Sequence, residues 1–132
     1  MQGEIFNDYE NNKASLYAHA EGSFTEANDQ FAHAEGYSSK ATSTAAHAEG
    51  RQCEANGMNS HAEGYLSKTF AAYAHAEGGS CEARGEGSHA EGYASKATGQ
   101  NAHAEGRATQ ANGAKSHSEG WNTIASEECQ HV

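Results

Sequence analysis

Ser88-His89-Ala90-Glu91-Gly92-Tyr93-Ala94-Ser95-Lys96-Ala97-Thr98-Gly99 is the stretch whose pattern decides the fold. Small Ser88 and Ala90 alternate with polar His89 and Glu91, and small Ser95 and Ala97 flank Lys96. Alternation with a period of two is that of a β-strand, whose successive side chains point to opposite faces. Gly92 and Gly99 close the two segments, and glycine suits the φ > 0 corners where a chain reverses. The stretch therefore reads as two short strands and two turns.

The same unit recurs every 14 residues. His19, His33, His47, His61, His75, His89, His103 and His117 each open His-Ala-Glu-Gly, with Ser118 replacing Ala in the last copy. The glutamates form a parallel column: Glu21, Glu35, Glu49, Glu63, Glu77, Glu91, Glu105 and Glu119. Six residues after each His stands Thr25, Ser39, Cys53, Ser67, Cys81, Ser95, Thr109 or Thr123, and the residue before each His is Ala or Ser. Eight copies without insertion or deletion are the signature of a repeat architecture.

Composition alone points elsewhere. Leu, Ile, Val and Phe number nine among 132 residues, and the formal net charge is −10. Such a balance normally marks a disordered chain. The repeat overrides it, but an ordinary core of large aliphatic side chains is excluded. No apolar run is long enough to span a membrane. The acidic balance argues against nucleic acid or an anionic membrane surface as partner. Met1 is followed by Gln2-Gly3-Glu4, so no secretory signal is read.

The expected fold is all-β: a parallel β-solenoid of eight coils with two short strands per 14-residue coil. Coils stacking at about 4.8 Å would give a rod of roughly 40 Å. A helix is disfavoured by a glycine in every repeat. Residues 1–17 read as an N-terminal lead-in or capping coil, 18–126 as the repeats and 127–132 as a C-terminal tail expected to fray. Lys13-Ala14-Ser15 echoes Lys40-Ala41-Thr42 with a turn one residue shorter, which starts the first coil near Ile5. Ile5, Phe6, Tyr9, Leu16 and Tyr17 concentrate apolar bulk that would cap the open edge, and Trp121 and Ile124 would cover the last coil.

The unit at residues 88–99 resembles the head repeat of the YadA-like trimeric autotransporter adhesins, Ser-Val-Ala-Ile-Gly-x-x-Ala-x-Ala-x-Gly, which also spans 14 residues. The resemblance covers residues 18–126. It implies a left-handed β-roll assembled as a homotrimer. The segment Glu4-Ile5-Phe6-Asn7-Asp8-Tyr9-Glu10-Asn11-Asn12 is also similar to the lead-in of such repeats in tail proteins of phages and prophages of Gram-positive bacteria. Where the adhesin repeat carries Val and Ile, this chain carries His and Glu. In the family that face packs on the three-fold axis. The resemblance therefore makes His19, Glu21, His33, Glu35, His47, Glu49, His61, Glu63, His75, Glu77, His89, Glu91, His103, Glu105, His117 and Glu119 the expected trimer interface.

Stacked carboxylates about 5 Å apart repel one another and need partners. Histidine of one chain bonding glutamate of the next is the expected solution, since buried charge is tolerable only when paired. The same side chains are proper ligands for a divalent metal. Structural pairing is preferred, because ligands normally need a supporting shell, and no metal or cofactor is assigned. No nucleophile–base arrangement stands out of the lattice, and eight equivalent sites do not resemble one active site.

Tyr37, Arg51, Tyr65, Tyr93, Arg107 and Trp121 occupy one corner of successive coils, with Ser23 and Gly79 in the same column. They read as a possible binding stripe for a host-surface protein or glycan, although amphipathic rings covering an edge is the preferred explanation. Glu26, Lys40, Glu54, Lys68, Glu82, Lys96 and Gln110 alternate in sign and favour one register. Cys53 and Cys81 sit two coils apart, about 9.6 Å by strand spacing, beyond the reach of a disulfide; they are expected as buried free thiols. Cys129 lies in the tail. Threonine is too scattered for a flat ice-binding array.

The function expected from these features is non-enzymatic, structural and adhesive. The chain would form a trimeric fibre or head segment of a surface adhesin or phage tail fibre, located at a cell surface, outside the cell or on a virion. The alternative is a metal-binding or pH-responsive assembly module using the His/Glu ladder, with stability falling on both sides of neutrality.

Overall fold

The computed structural model describes residues 12–132 together with the backbone of Ile5–Phe6. It is a parallel β-solenoid of about eight coils, with no helix among the described residues. Each coil carries one five-residue strand and one two-residue strand. The long strands are His19–Ser23, His33–Tyr37, His47–Arg51, His61–Tyr65, His75–Gly79, His89–Tyr93, His103–Arg107 and His117–Trp121, and they form one sheet. The short strands, from Lys13–Ala14 and Glu26–Ala27 through to Ile124–Ala125, form the second. Every pairing between coils is parallel and in register, so His75 lies between His61 and His89, and Glu77 between Glu63 and Glu91.

The shortened first turn is present: Lys13 pairs with Glu26, 13 positions on, whereas Glu26 pairs with Lys40. Ile5–Phe6 pairs antiparallel with Lys13–Ala14 and ends the parallel ladder at that edge. The expected capping side chains of Ile5, Phe6 and Tyr9 lie outside the described residues. Tyr17 does not cover the end of the stack; it is exposed and stacks flat on Phe31 of the next coil, ring centroids 5.8 Å apart. Trp121 and Ile124 are likewise exposed instead of covering the last coil.

The core consists of small side chains throughout. Ala20, Ala34, Ala48, Ala62, Ala76, Ala90 and Ala104 from the long strands meet Ala27, Ala41, Ala55, Ala83, Ala97 and Ala111 from the short ones, all fully buried. No large aliphatic residue is among them, so stability rests on the backbone ladder and on each coil's contact with its neighbours. One column of buried hydroxyls is anchored on that ladder, as burial without a partner is costly, whereas Ser88 and Ser116 Oγ are buried without a hydrogen bond. Ser39, Ser67 and Ser95 donate to the carbonyls of Gly50, Gly78 and Gly106 in the following coil, at 3.1, 3.0 and 3.2 Å. Cys53 and Cys81 occupy the same column as buried free thiols, and Cys129 is exposed and free.

Three corners per coil have positive φ, and they differ from the sequence expectation. Gly57, Gly85, Gly99 and Gly113 are not among the positive-φ residues. A Cβ at any of them would lie 1.9–2.2 Å from a carbonyl oxygen of the next coil, so close approach is what favours glycine there. The left-handed corners fall instead on mostly non-glycine columns, such as Ala45, Asn59 and Tyr73, and Leu66, Ala94 and Ala108, with φ of 57–64°. The third positive φ is that of the His-Ala-Glu-Gly glycine, at 105–114°. This glycine does not close the strand, which continues one residue further.

The last six residues are ordered, contrary to the expected fraying. His131 bridges to His117 in parallel, 14 residues on. The His117 amide donates to the Gln130 carbonyl at 2.8 Å, and the Val132 amide to the His117 carbonyl at 2.9 Å. The chain thus begins a ninth turn of the same lattice.

Candidate functional site: the histidine–glutamate face

On each long strand the Ala between His and Glu points into the core, which sends His and Glu together to the outer face. In-register parallel pairing then stacks like on like. From His33 to His131 the imidazoles form a continuous column with centroids 4.5–4.8 Å apart and planes within 9° of parallel. The first pair differs: His19 meets His33 edge-on at 62°.

Each carboxylate lies beside this column between two imidazoles. Glu49 Oε1 is 4.0 Å from His47 Nε2 and 3.2 Å from His61 Nε2. Glu35 Oε1 is 3.9 Å from His33 Nε2 and 3.7 Å from His47 Nε2. From Glu35 onward the shorter contact runs from a glutamate to the histidine of the following coil, whereas Glu21 lies closer to His19 of its own coil, 3.3 Å against 3.8 Å to His33. The following-coil contact is a hydrogen bond at His61–Glu49, His89–Glu77, His103–Glu91, His117–Glu105 and His131–Glu119, 3.1–3.4 Å. The glutamates thus find histidine partners within their own chain, where the sequence had suggested a neighbouring one. Interior His and Glu side chains of the ladder keep about a third of their surface exposed.

The hydrogen bonds perturb the carboxylates. Burial pushes Glu49 up, but the bond from His61 and the proximity of His47 and His61 outweigh it and leave the carboxyl below its ordinary range. Glu77 is the same: burial opposes, while His89, Glu91 and His75 lower it. At Glu105 the bond from His117 is the leading cause, and the carboxyl is again lowered. The pattern is that of a carboxylate whose charged form accepts hydrogen bonds.

Three imidazole nitrogens are left over. Nε2 of His33, His47 and His75 is buried without a hydrogen-bond partner. Their nearest carboxylate contacts, to Glu21, Glu35 and Glu63 of the preceding coil, are 3.8, 3.7 and 3.5 Å. Successive His-Glu-His sets such as His47, Glu49 and His61 bring one ligand atom each to within 4.8 Å of one another, which makes the face a candidate metal-binding surface.

The expected stripe is assembled on a different corner. Tyr37, Tyr65, Tyr93 and Trp121 are exposed. The Arg51 guanidinium lies 5.8 Å from the Tyr37 ring centroid and 5.7 Å from that of Tyr65, and Arg107 lies 5.8 Å from that of Tyr93. Arg51 is therefore sandwiched by cation–π contacts, which favours a self-packed edge. Sequence reasoning did not single out Arg84, whose guanidinium sits 4.3 Å from the Phe70 ring centroid and bonds Glu82 at 2.8 Å. It also stopped the histidine column one member short, although the 14-residue spacing from His117 to His131 was the signal for it. No cavity opens among the described residues. Neither a family model nor a curated protein matches this chain.

Proposed function

We propose that the chain is a non-enzymatic structural and adhesive module, a segment of a trimeric fibre or head that presents a repetitive surface for attachment. The observation that supports this most is in-register repetition. The His and Glu columns repeat identically from coil to coil, the Tyr/Arg corner stacks in the same register with alternating residues, and no cavity opens among the described residues. A surface of this kind suits avidity, where many weak equivalent contacts act together, and not chemistry at one centre. The half-exposed His/Glu face is the surface on which three copies would meet, in line with the resemblance to trimeric head repeats. Glu49, Glu77, Glu91, Glu105 and Glu119 already bond a histidine of their own chain, so assembly would not leave those carboxylates without a partner. The Tyr/Arg corner would then face outward as the attachment stripe.

The experiment is a binding screen of the full chain on immobilised glycans and on intact cells, repeated with Tyr65→Ala/Tyr93→Ala. Retention that falls in the variant supports attachment through the stripe. No retention of the parent chain on any surface would overturn the adhesive part of the reading.

A further inference from the structure

The His/Glu ladder holds its donor atoms in a way that hydrogen bonding does not explain. If pairing were its whole purpose, every imidazole would reach a carboxylate. Yet Nε2 of His33, His47 and His75 is buried without a hydrogen bond, and the facing carboxylate oxygens of Glu21, Glu35 and Glu63 stay at ion-pair distance, 3.8, 3.7 and 3.5 Å. A buried nitrogen that makes no hydrogen bond is costly and calls for an explanation. These nitrogens fall within the overlapping sets His33-Glu35-His47, His47-Glu49-His61, His61-Glu63-His75 and His75-Glu77-His89, whose ligand atoms lie within 4.8 Å of one another.

We propose that this face binds divalent transition-metal ions of the zinc class, each held by two successive histidine Nε2 atoms and the glutamate carboxylate between them. One ion at such a set takes up both nitrogen lone pairs and the carboxylate charge at once. Imidazole with carboxylate suits zinc, cobalt, nickel and copper, whereas calcium and magnesium favour all-oxygen shells. Metal bonds of about 2.0–2.2 Å require the donors to close in from their present separations. The strands are fixed by their ladder, so the closure falls on side-chain rotation and breaks the parallel ring stack locally. The net charge of −10 favours cation approach.

The geometry also sets the stoichiometry. Each Nε2 offers one lone pair, and neighbouring sets share a histidine, so adjacent sets cannot both fill. Nine histidines in one column, from His19 to His131, taken two per ion, allow at most four ions per chain. All donors belong to one chain, so the proposal stands independently of a trimer.

The test is a titration of the full chain at neutral pH with zinc by calorimetry and with cobalt by visible absorption. The expected result is saturation near four ions per chain, cobalt bands indicating nitrogen ligation, and no displacement by millimolar magnesium or calcium. Nitrogen NMR should show the shift at Nε2. His33→Asn/His61→Asn/His89→Asn/His117→Asn separates every adjacent pair, and with an unchanged circular dichroism spectrum its zinc affinity should drop at least about tenfold, one bond's worth of binding energy. Glu35→Gln/Glu49→Gln/Glu63→Gln/Glu77→Gln should weaken zinc in the same way. Less than one zinc per chain, undiminished affinity in the histidine variant, or ligation at Nδ1 would each overturn the proposal. The last two readouts are independent, so a variant that fails to fold still leaves the parent chain's NMR result to decide.

Discussion

Gly64→Ala should split the solenoid at one interface between coils. Gly64 has φ of 107°, a region that side-chain-bearing residues rarely adopt, and its added Cβ would sit 2.1 Å from the Gly78 carbonyl oxygen. Ordinary carbon–oxygen contacts begin near about 3.3 Å. The coil carrying His75–Gly79 must therefore retreat by about 1 Å, out of a strand spacing of about 4.8 Å. The flanking bonds from the His61 amide to the Ala74 carbonyl and from the Ser80 amide to the Tyr65 carbonyl are 3.0 and 2.8 Å long. Lengthened by about 1 Å they are no longer hydrogen bonds. Losing two or three such bonds at about 1 kcal/mol each, with about 1–3 kcal/mol of backbone strain, totals about 3–6 kcal/mol. That is comparable with the whole stability of many domains. Urea unfolding followed by far-ultraviolet circular dichroism measures it, with Gly79→Ala as the comparison. Gly79 is not at positive φ, and a Cβ there would meet only the Tyr93 ring edge at 3.0 Å, a side chain that can shift, so Gly79→Ala should cost far less. A Gly64→Ala chain within about 1 kcal/mol of the parent would refute the reasoning.

Acid should weaken the fold. Glu49, Glu77 and Glu105 have lowered folded-state pKa values, so their contribution is present above the ordinary carboxylate pKa and lost as pH falls through the depressed one. Melting temperature should drop on acidification below about pH 4.5, the ordinary carboxylate range, and less steeply in Glu77→Gln; an unchanged melt at pH 3 contradicts this. Ala45, Ala94 and Ala108 sit at φ of 57–58°; replacing all three by Gly should stabilise the chain by about 1–2 kcal/mol, because relief of left-handed strain exceeds the added backbone entropy, as read by the denaturant midpoint. Cys53 and Cys81 are buried, and burial is the leading cause of their raised thiol pKa. A thiol reagent should therefore label the exposed Cys129 alone in the native protein and all three cysteines in denaturant.

The 14-residue period and the alternation inside it carried the solenoid, its parallel register and its small-residue core. They did so because a repeat constrains every coil at once and an error in one is exposed by the rest. The corners were less legible. Glycine was expected wherever φ is positive, but the lattice places Leu66, Tyr73 and Ala94 in left-handed corners. Cooperative stacking overrides the local preference there, and spends glycine where two backbones nearly touch. The direction of the His–Glu pairs was also hidden. Spacing puts both residues on one face, but only the side-chain positions show that Glu49 reaches His61 of the next coil. His131 was missed because the residues around it depart from the repeat, while the backbone ladder at Gln130 and Val132 holds it in place.

Solution mass is the most direct test of the fibre-module proposal. Multi-angle light scattering at neutral pH, with and without chelator, should give three times the 13.9 kDa of one chain in both conditions. The mass of a single chain would contradict it, leaving the His/Glu face open to solvent.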